Sequence, residues 1–333
     1  MLILIWLFII IISWVYYFRD NFFAELVISF LPYIIAAILL IILVLIIILF
    51  HKCHSKSDKK NSIKFWTILL IILSCWIGYL YWSEYFSFYN NTNESIRLTQ
   101  GEWIKVFYAN IYYLNDNFDL LQDKLEEEDP DIVILVEFSD EHEEALKDFF
   151  REKYQYMNRN SRSTMLAWDV VFSKFPLDNA ITTWLSWKWN WKYSYMQINC
   201  ENNIPNCNDK IDLYVVHTAA PVSMENFEMR NNQLEQLWLD LARNNIWWKP
   251  VILIWDFNLS PRSYYYKLLT KNWNLLNALS FQKPNYTRSL REQKIFRSHI
   301  DQIFISPEIK ISEINIWDLP WSDHRSFIFN VWL

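Results

Sequence analysis

The chain has 333 residues with 31 Lys and Arg against 37 Asp and Glu, a net charge of −6. That acidic balance argues against nucleic-acid binding through an overall basic surface. Glycine is nearly absent: two residues stand against 19 tryptophans, where average usage of ~7% would give about 23 glycines. Several tryptophans occupy places where a chain needs a residue without a side chain: Trp255 in WDFN, Trp321 in WSDH, and Trp184, Trp187, Trp189 and Trp191 in the turn-like run WLSWKWNW. This distribution suggests a gene from a lineage that decodes one stop codon as glycine, translated with a table that assigns the codon to tryptophan. The alternative is a truly tryptophan-rich protein.

From the N-terminal side, residues 1 to 18, 30 to 50 and 65 to 82 are nearly unbroken apolar runs, each close to the ~20 residues that cross a hydrocarbon core. The first lacks a basic start and a small-residue cleavage site and is followed by two more runs, so three transmembrane helices fit better than a cleaved signal peptide. Buried helices are the alternative. The loop HKCHSKSDKKNSIK carries Lys52, Lys56, Lys59, Lys60 and Lys64 against Asp58. By the positive-inside rule it is cytoplasmic, which puts everything after the third span outside. The expectation is a multi-pass cell-membrane protein with an extracytoplasmic domain.

Residues 83 to 100, rich in Asn, Ser, Thr and Tyr, read as a linker. From 101 to 333, short β-branched runs alternate with amphipathic stretches, which predicts one α/β domain with mixed sheets. The predicted strands are Ile104 to Asn110, Ile132 to Glu137, Asp169 to Phe172, Tyr193 to Asn199, Asp212 to His217, Val251 to Trp255, Ile300 to Ile305 and Phe327 to Val331. The predicted helices are Asn117 to Glu128, Asp140 to Lys153, Met224 to Asn244 and Ser263 to Thr270. The acidic EEEDPD from Glu126 to Asp131 reads as a helix end and turn rather than a metal site. Cys200 and Cys207 flank a loop and are either a disulfide or two free thiols.

Five predicted strands run into polar residues able to hold a metal or a phosphate. These are Asn110, Glu137, His217, Asp256 with Asn258, and Asp323 with His324 just before the last strand; Asp301 opens the strand IDQIFIS. Polar side chains at the mouths of apolar strands converge on one rim of a sheet, where α/β proteins build their sites. One Asp or Asn after a strand is ordinary turn chemistry. This many in succession are hard to assign to turns.

The strings FYANIYY, DIVILVEFS, DVVFSKFPL, LYVVHTAAPVS, PVILIWDFNLSP, HIDQIFIS and WSDHRSFIF resemble the endonuclease/exonuclease/phosphatase superfamily across residues 101 to 333. The resemblance implies a DNase I-like four-layer α/β sandwich of two mixed β-sheets. The three preceding spans resemble, in architecture, the membrane-anchored branch of that superfamily. The family pattern has glycine where this chain has Trp255 and Trp321, and commonly near Trp168.

The resemblance also implies roles. Glu137 binds a divalent metal, Mg²⁺ first and Mn²⁺ as its alternative, with Asn110 and Asp323 near it. Asp256 orients or deprotonates the attacking water. Asn258 and His217 hold phosphoryl oxygens or protonate the leaving group, and His324 pairs with Asp301 as acid, base or charge stabiliser.

Residues 101 to 333 hold 24 Lys and Arg against 32 Asp and Glu, a net of −8. Nucleic acid is therefore the less favoured substrate. Upstream of Asp301, Arg288, Arg291 and Arg297 lie in KPNYTRSLREQKIFRSHID and read either as a solvated face or as a clamp for a phosphate headgroup. Tethering to a membrane favours a phosphorylated lipid, a polyprenyl phosphate or a pyrophosphate over DNA. A surface nuclease and an inactive binding module are the alternatives.

Overall fold

The strongest signals in this sequence are apolar runs of six to eight residues, such as IVILVEF and VILIWD, and in the structure such runs become strands buried on both faces. The computed structural model describes residues 14, 17–18, 20–53, 68, 72, 75, 103–159, 167–184, 192–199, 210–244, 249–267, 275–281, 286–290, 293–312, 314–319 and 322–332. The chain divides into two units, Met1–Thr92 and Asn93–Leu333.

In the first unit, α1 (Phe22–Ser29) starts at Asn21, whose side chain accepts from the Phe23 amide. It is followed by α2 (Leu31–Cys53), a 23-residue helix of almost wholly apolar sequence, about 35 Å long at 1.5 Å per residue. Some of its side chains lie outside the described residues. Taken over the described residues alone, no helix is long and apolar enough to cross a membrane. The expected first and third spans, the basic loop and the linker fall almost entirely outside the described residues.

The second unit contains β1 (Ile104–Asn110), α3 (Phe118–Glu128), β2 (Ile132–Phe138), α4 (Asp140–Lys153), β3 (Tyr156–Arg159), β4 (Trp168–Ser173), β5 (Leu177–Trp184), β6 (Lys192–Asn199) and β7 (Lys210–His217). There follow α5 (Met224–Arg243), β8 (Val251–Asp256), β9 (Leu276–Asn277), β10 (Arg288–Leu290), β11 (Gln293–Ser298), β12 (Asp301–Ile305), β13 (Lys310–Ile311), β14 (Asn315–Asp318) and β15 (Arg325–Trp332). One sheet runs β13-β15-β1-β2-β4-β3 with β14 on β15, the other β5-β6-β7-β8-β12-β9, and β10-β11 is a separate hairpin. Both sheets are mixed: β1 is parallel to β2 and β7 to β8, among otherwise antiparallel pairs.

Strand alternation sorts the core into layers. Val106, Tyr108, Ile134 and Phe329 of the first sheet pack with Met196, Leu213, Ile254 and Ile303 of the second. The intervening Phe107, Val133 and Leu135 face Leu121 and Leu125 of α3 and Leu146 and Phe150 of α4. Helix α4 begins with a capping box, Ser139 with His142, has Asp140, Glu141 and Glu143 in its first turn, and carries Arg151 and Lys153 in its last. This charge order suits the helix dipole. Helix α5 has a simpler cap, the Ser223 side chain accepting from the Asn226 amide. The acidic EEEDPD is the end of α3, with Asp129 left-handed at φ 43°, as the sequence suggests.

Three differences stand out. Trp184, expected in a turn-like run, ends β5 paired with Lys192, and residues 185–191 lie outside the described residues. The expected helix Ser263 to Thr270 is helical at 264–267, with 268–270 outside the described residues. Strands β3, β5, β9 to β11, β13 and β14 differ from the sequence expectation, which has no strand there, because most are short and none is an apolar run. Cys200, Cys207, Trp187, Trp189, Trp191 and Trp321 also lie outside the described residues.

Candidate active site

Register places the catalytic candidates side by side. His217 at the end of β7 pairs with Asp256 at the end of β8, and Asp256 pairs with Asp301 at the start of β12. The second sheet thus presents three titratable residues in one row. From the first sheet, Asn110 ends β1 and Glu137 lies near the end of β2. The Asn110 amide nitrogen donates to Glu137 Oε1 and to Asp256 Oδ2, each at 3.1 Å, joining the two sheets at the site. His217 Nε2 lies 3.8 Å from Glu137 Oε1 and 3.7 Å from Asp256 Oδ2.

Glu137 is held in an uncommon backbone state. Its φ is 61°, and the register of β2 on β4 shifts between Leu135 and Phe138, a bulge of the kind that re-aims a side chain next to active sites. Glu137 Oε2 accepts from the Tyr113 amide at 3.3 Å. Asn258 is also left-handed, at φ 48°, and its amide donates to Asp256 Oδ1 at 3.1 Å in an Asx turn. The Asn258 side-chain amide donates to the Thr218 carbonyl at 3.0 Å, so in this structure it braces the loops after β7 and β8.

His324 is 5% exposed and its Nδ1 lies 2.9 Å from Asp301 Oδ2 and 3.1 Å from Oδ1. A buried carboxylate accepts, so Nδ1 carries the hydrogen and Nε2 faces the site. Nε2 is 3.6 Å from Asp256 Oδ2 and 4.0 Å from Asp323 Oδ1. Burial alone would push the imidazole down, but the charges of Asp301 and Asp256 and the Asp301 hydrogen bond together hold it up at about 9. Burial raises the Asp256 carboxyl, His324 acts to lower it and the Asp301 charge adds to the rise.

Arg288 lies in β10 and bridges His324 through the backbone, and its Nε donates to Asp323 Oδ2 at 2.9 Å. Burial alone would lower the guanidinium, and the Asp323 charge more than reverses this. Of the three arginines read as a phosphate clamp, Arg288 therefore reaches the site. Arg291 lies outside the described residues, and the Arg297 side chain is not among the described ones.

Several supports were not visible in the sequence. Thr287 Oγ1 accepts from the Ile300 and Asp301 amides at 2.9 and 3.0 Å. Ser322 donates to the Asn110 carbonyl at 2.7 Å. In α5, Arg230 is fully buried and donates to the Asn258 carbonyl at 3.1 Å, while Gln233 accepts from the Ala219 amide at 2.9 Å. The spacing of Arg230 and Gln233 on one helix face was a signal, but helix faces commonly carry such residues.

Asp256, Asp301 and His324 offer ligand atoms within 4.8 Å of one another. Glu137 and Asp256 both reach the same Asn110 amide. Four carboxylates, those of Glu137, Asp256, Asp301 and Asp323, thus gather around two histidines and Arg288. This oxygen-rich, anion-excess set fits a hard divalent cation.

The Endonuclease/Exonuclease/phosphatase family model matches residues 107–324. The chain belongs to this family. Its members are hydrolases that act on phosphate esters. No curated protein matches the chain. Among solved structures, D. rerio TDP2 complexed with single strand DNA product is 15% identical, with a TM-score of 0.56, over 70% of this chain and 100% of that one. The human Nocturnin catalytic domain with bound sulfate anion is 20% identical, with a TM-score of 0.55, over 69% and 93%. The Bacteroides thetaiotaomicron VPI-5482 mannosyl-6-phosphatase Bt3783 is 14% identical, with a TM-score of 0.54, over 69% and 100%. At these identities the likeness shows the fold.

Proposed function

We propose that the protein is a membrane-anchored, metal-dependent phosphoesterase of the outer membrane face that hydrolyses a lipid-linked phosphate ester or pyrophosphate. The observation that carries the hydrolytic part is the row His217, Asp256 and Asp301 facing Asn110, Glu137 and His324. The membrane part rests on the apolar runs and the basic loop, together with the 23-residue apolar helix α2.

A divalent ion, Mg²⁺ or Mn²⁺, would be held by Glu137 with Asn110 and Asp323, and supplies neutralisation of charge on the phosphoryl oxygens. The chain's own groups do the rest. Asp256, made more basic by burial, accepts the proton of the attacking water. His324, cationic at neutral pH and oriented by Asp301, faces the charge that builds on phosphorus-bound oxygen. His217 stands between Glu137 and Asp256, placed to serve the leaving oxygen. Asn258 fixes the loops that set these distances. Arg288 orients Asp323 and brings a cation to the rim, where a phosphate headgroup would sit.

The test is Mg²⁺-dependent phosphate release by the full chain in detergent, with polyprenyl pyrophosphate, a phospholipid and plasmid DNA in parallel. Release from a lipid substrate is expected, lost in His324→Ala and Glu137→Ala, abolished by EDTA and restored by Mg²⁺ or Mn²⁺. Cutting of DNA alone would make the protein a tethered nuclease, a reading favoured by the DNA product bound in the similar TDP2 structure. Inactivity on all three would leave a binding module.

A further inference from the structure

Asp301 is fully buried, and a buried carboxylate needs a donor for each oxygen. Oδ2 takes the shorter contact to His324 Nδ1, at 2.9 Å, with Oδ1 at 3.1 Å from the same nitrogen. The Tyr108 hydroxyl donates to Oδ1 at 3.1 Å. Tyr108 lies on β1 two residues before Asn110, so both side chains leave the same face of the strand. Asn110 reaches across to Asp256, and Tyr108 reaches across to Asp301. The tyrosine is fully buried and its ring stacks on Phe327 at 5.5 Å and 16°. Its hydroxyl is therefore held by a rigid frame. Burial, with the Asp301 and Asp256 charges adding, raises the phenol well above its ordinary value, so it keeps the proton it donates.

We propose that Tyr108 is a positioning residue: its hydroxyl fixes the plane of the Asp301 carboxylate and thereby aims the His324 imidazole at the reacting phosphoryl group. The backbone of Asp301 is already fixed by Thr287. What remains free is rotation of the carboxylate about its own side-chain bonds, and Tyr108 is the group from the opposite sheet that stops it. An imidazole held by a rotating carboxylate loses the angular definition that a catalytic group needs. The proposal rests on the reading of the site as hydrolytic.

The test uses the full chain, or its Trp255→Gly variant if that is more active. Tyr108→Phe keeps the ring and removes one oxygen. It is expected to lower kcat about tenfold, the worth of one hydrogen bond to a charged group, with KM unchanged. In an Asp301→Asn background the same change should cost nothing further, because the carboxylate it orients is gone. Wild-type kcat in Tyr108→Phe, or an equal loss in both backgrounds, would overturn the proposal.

A second readout does not need turnover. In protein labelled with ¹⁵N-histidine, the far-downfield His324 Nδ1–H proton, assigned by its loss in His324→Ala, should shift or broaden in Tyr108→Phe. An unchanged resonance would overturn the proposal. If Tyr108→Phe does not accumulate, fluorotyrosine at position 108 strengthens the donor and should shift the same resonance, and no shift would count against the proposal. Wild-type inactivity on every phosphate ester would count against the hydrolytic reading alone, and the resonance would still decide the role of Tyr108.

Discussion

Trp255 immediately precedes Asp256, is fully buried, and its ring centroid lies 3.2 Å from that of Phe257. Aromatic pairs ordinarily sit with centroids 4.5–7 Å apart, so the indole is crowded into the end of β8. Among the described residues its Nε1–H has no hydrogen-bond partner, and leaving such a donor unpaired costs about 1–3 kcal/mol. Trp103 and Trp332 are crowded too, with centroids 3.5 Å apart at 73°. These positions behave as if built for a smaller residue, which is what the exchange of glycine for tryptophan inferred from composition requires. Trp255→Gly is expected to raise turnover more than tenfold, the scale on which misplacement of catalytic groups by about 1 Å acts; equal rates would refute this. Peptide mass spectrometry of the protein from its native source should find glycine at 255, and tryptophan there would end the genetic-code reading. The unusual placement of Trp255 was legible in the sequence. The left-handed backbone at Glu137 was not, because a glutamate after an apolar run looks the same whether its strand is regular or bulged.

At the scale of elements, the strands nearest the candidate site residues were the most readable. Strands β1, β2, β7, β8 and β12 are mostly apolar because both their faces are covered, and polar residues at their ends therefore stand out. The hairpin β10–β11 was not readable, since RSL and QKIFRS mix charge and apolarity without a period. It joins the segments around Asp301 and His324 through Thr287 and Arg288. Helix α5 plays the matching part for the other loops. Arg230 lies over the rings of Phe227 and Tyr265 at 5.0 and 5.9 Å and holds the strained turn at Asn258, while Gln233 holds the loop after His217. Arg230→Met should lower stability by about 1–3 kcal/mol, the cost of losing a hydrogen bond from a buried charge, and lower kcat with it. The urea midpoint and steady-state rates check both, and a stable variant with full activity would remove α5 from the site's support.

For the whole molecule, protonation sets a window of stability. His142 is 1% exposed beneath Phe118 and Phe138, and burial pushes it down to about 4. The unfolded chain binds this proton near 6.5, so the folded state loses stability as pH falls from 6.5 to 4, by the order of 3 kcal/mol. His324 acts with the opposite sign. Its value of about 9 means that the stability from its charge is complete below 6.5 and is lost as pH rises through 9. Urea midpoints at pH 4.5, 6.5 and 9 should be highest at the middle value, and His142→Gln should flatten the acid side only. The two-sheet architecture was legible from strand runs and motifs, whereas the pairing of opposite sheets through Asn110 and Tyr108 was not, because contacts between distant residues leave no local pattern. That pairing also bears on synthesis. The last described strand in chain order, β15, lies between β13 and β1 in the first sheet, and His324 immediately precedes it. A nascent chain therefore lacks both a completed first sheet and the His324–Asp301 pair until residues 324 to 332 have been made, so no shorter length of emerging polypeptide can assemble the site.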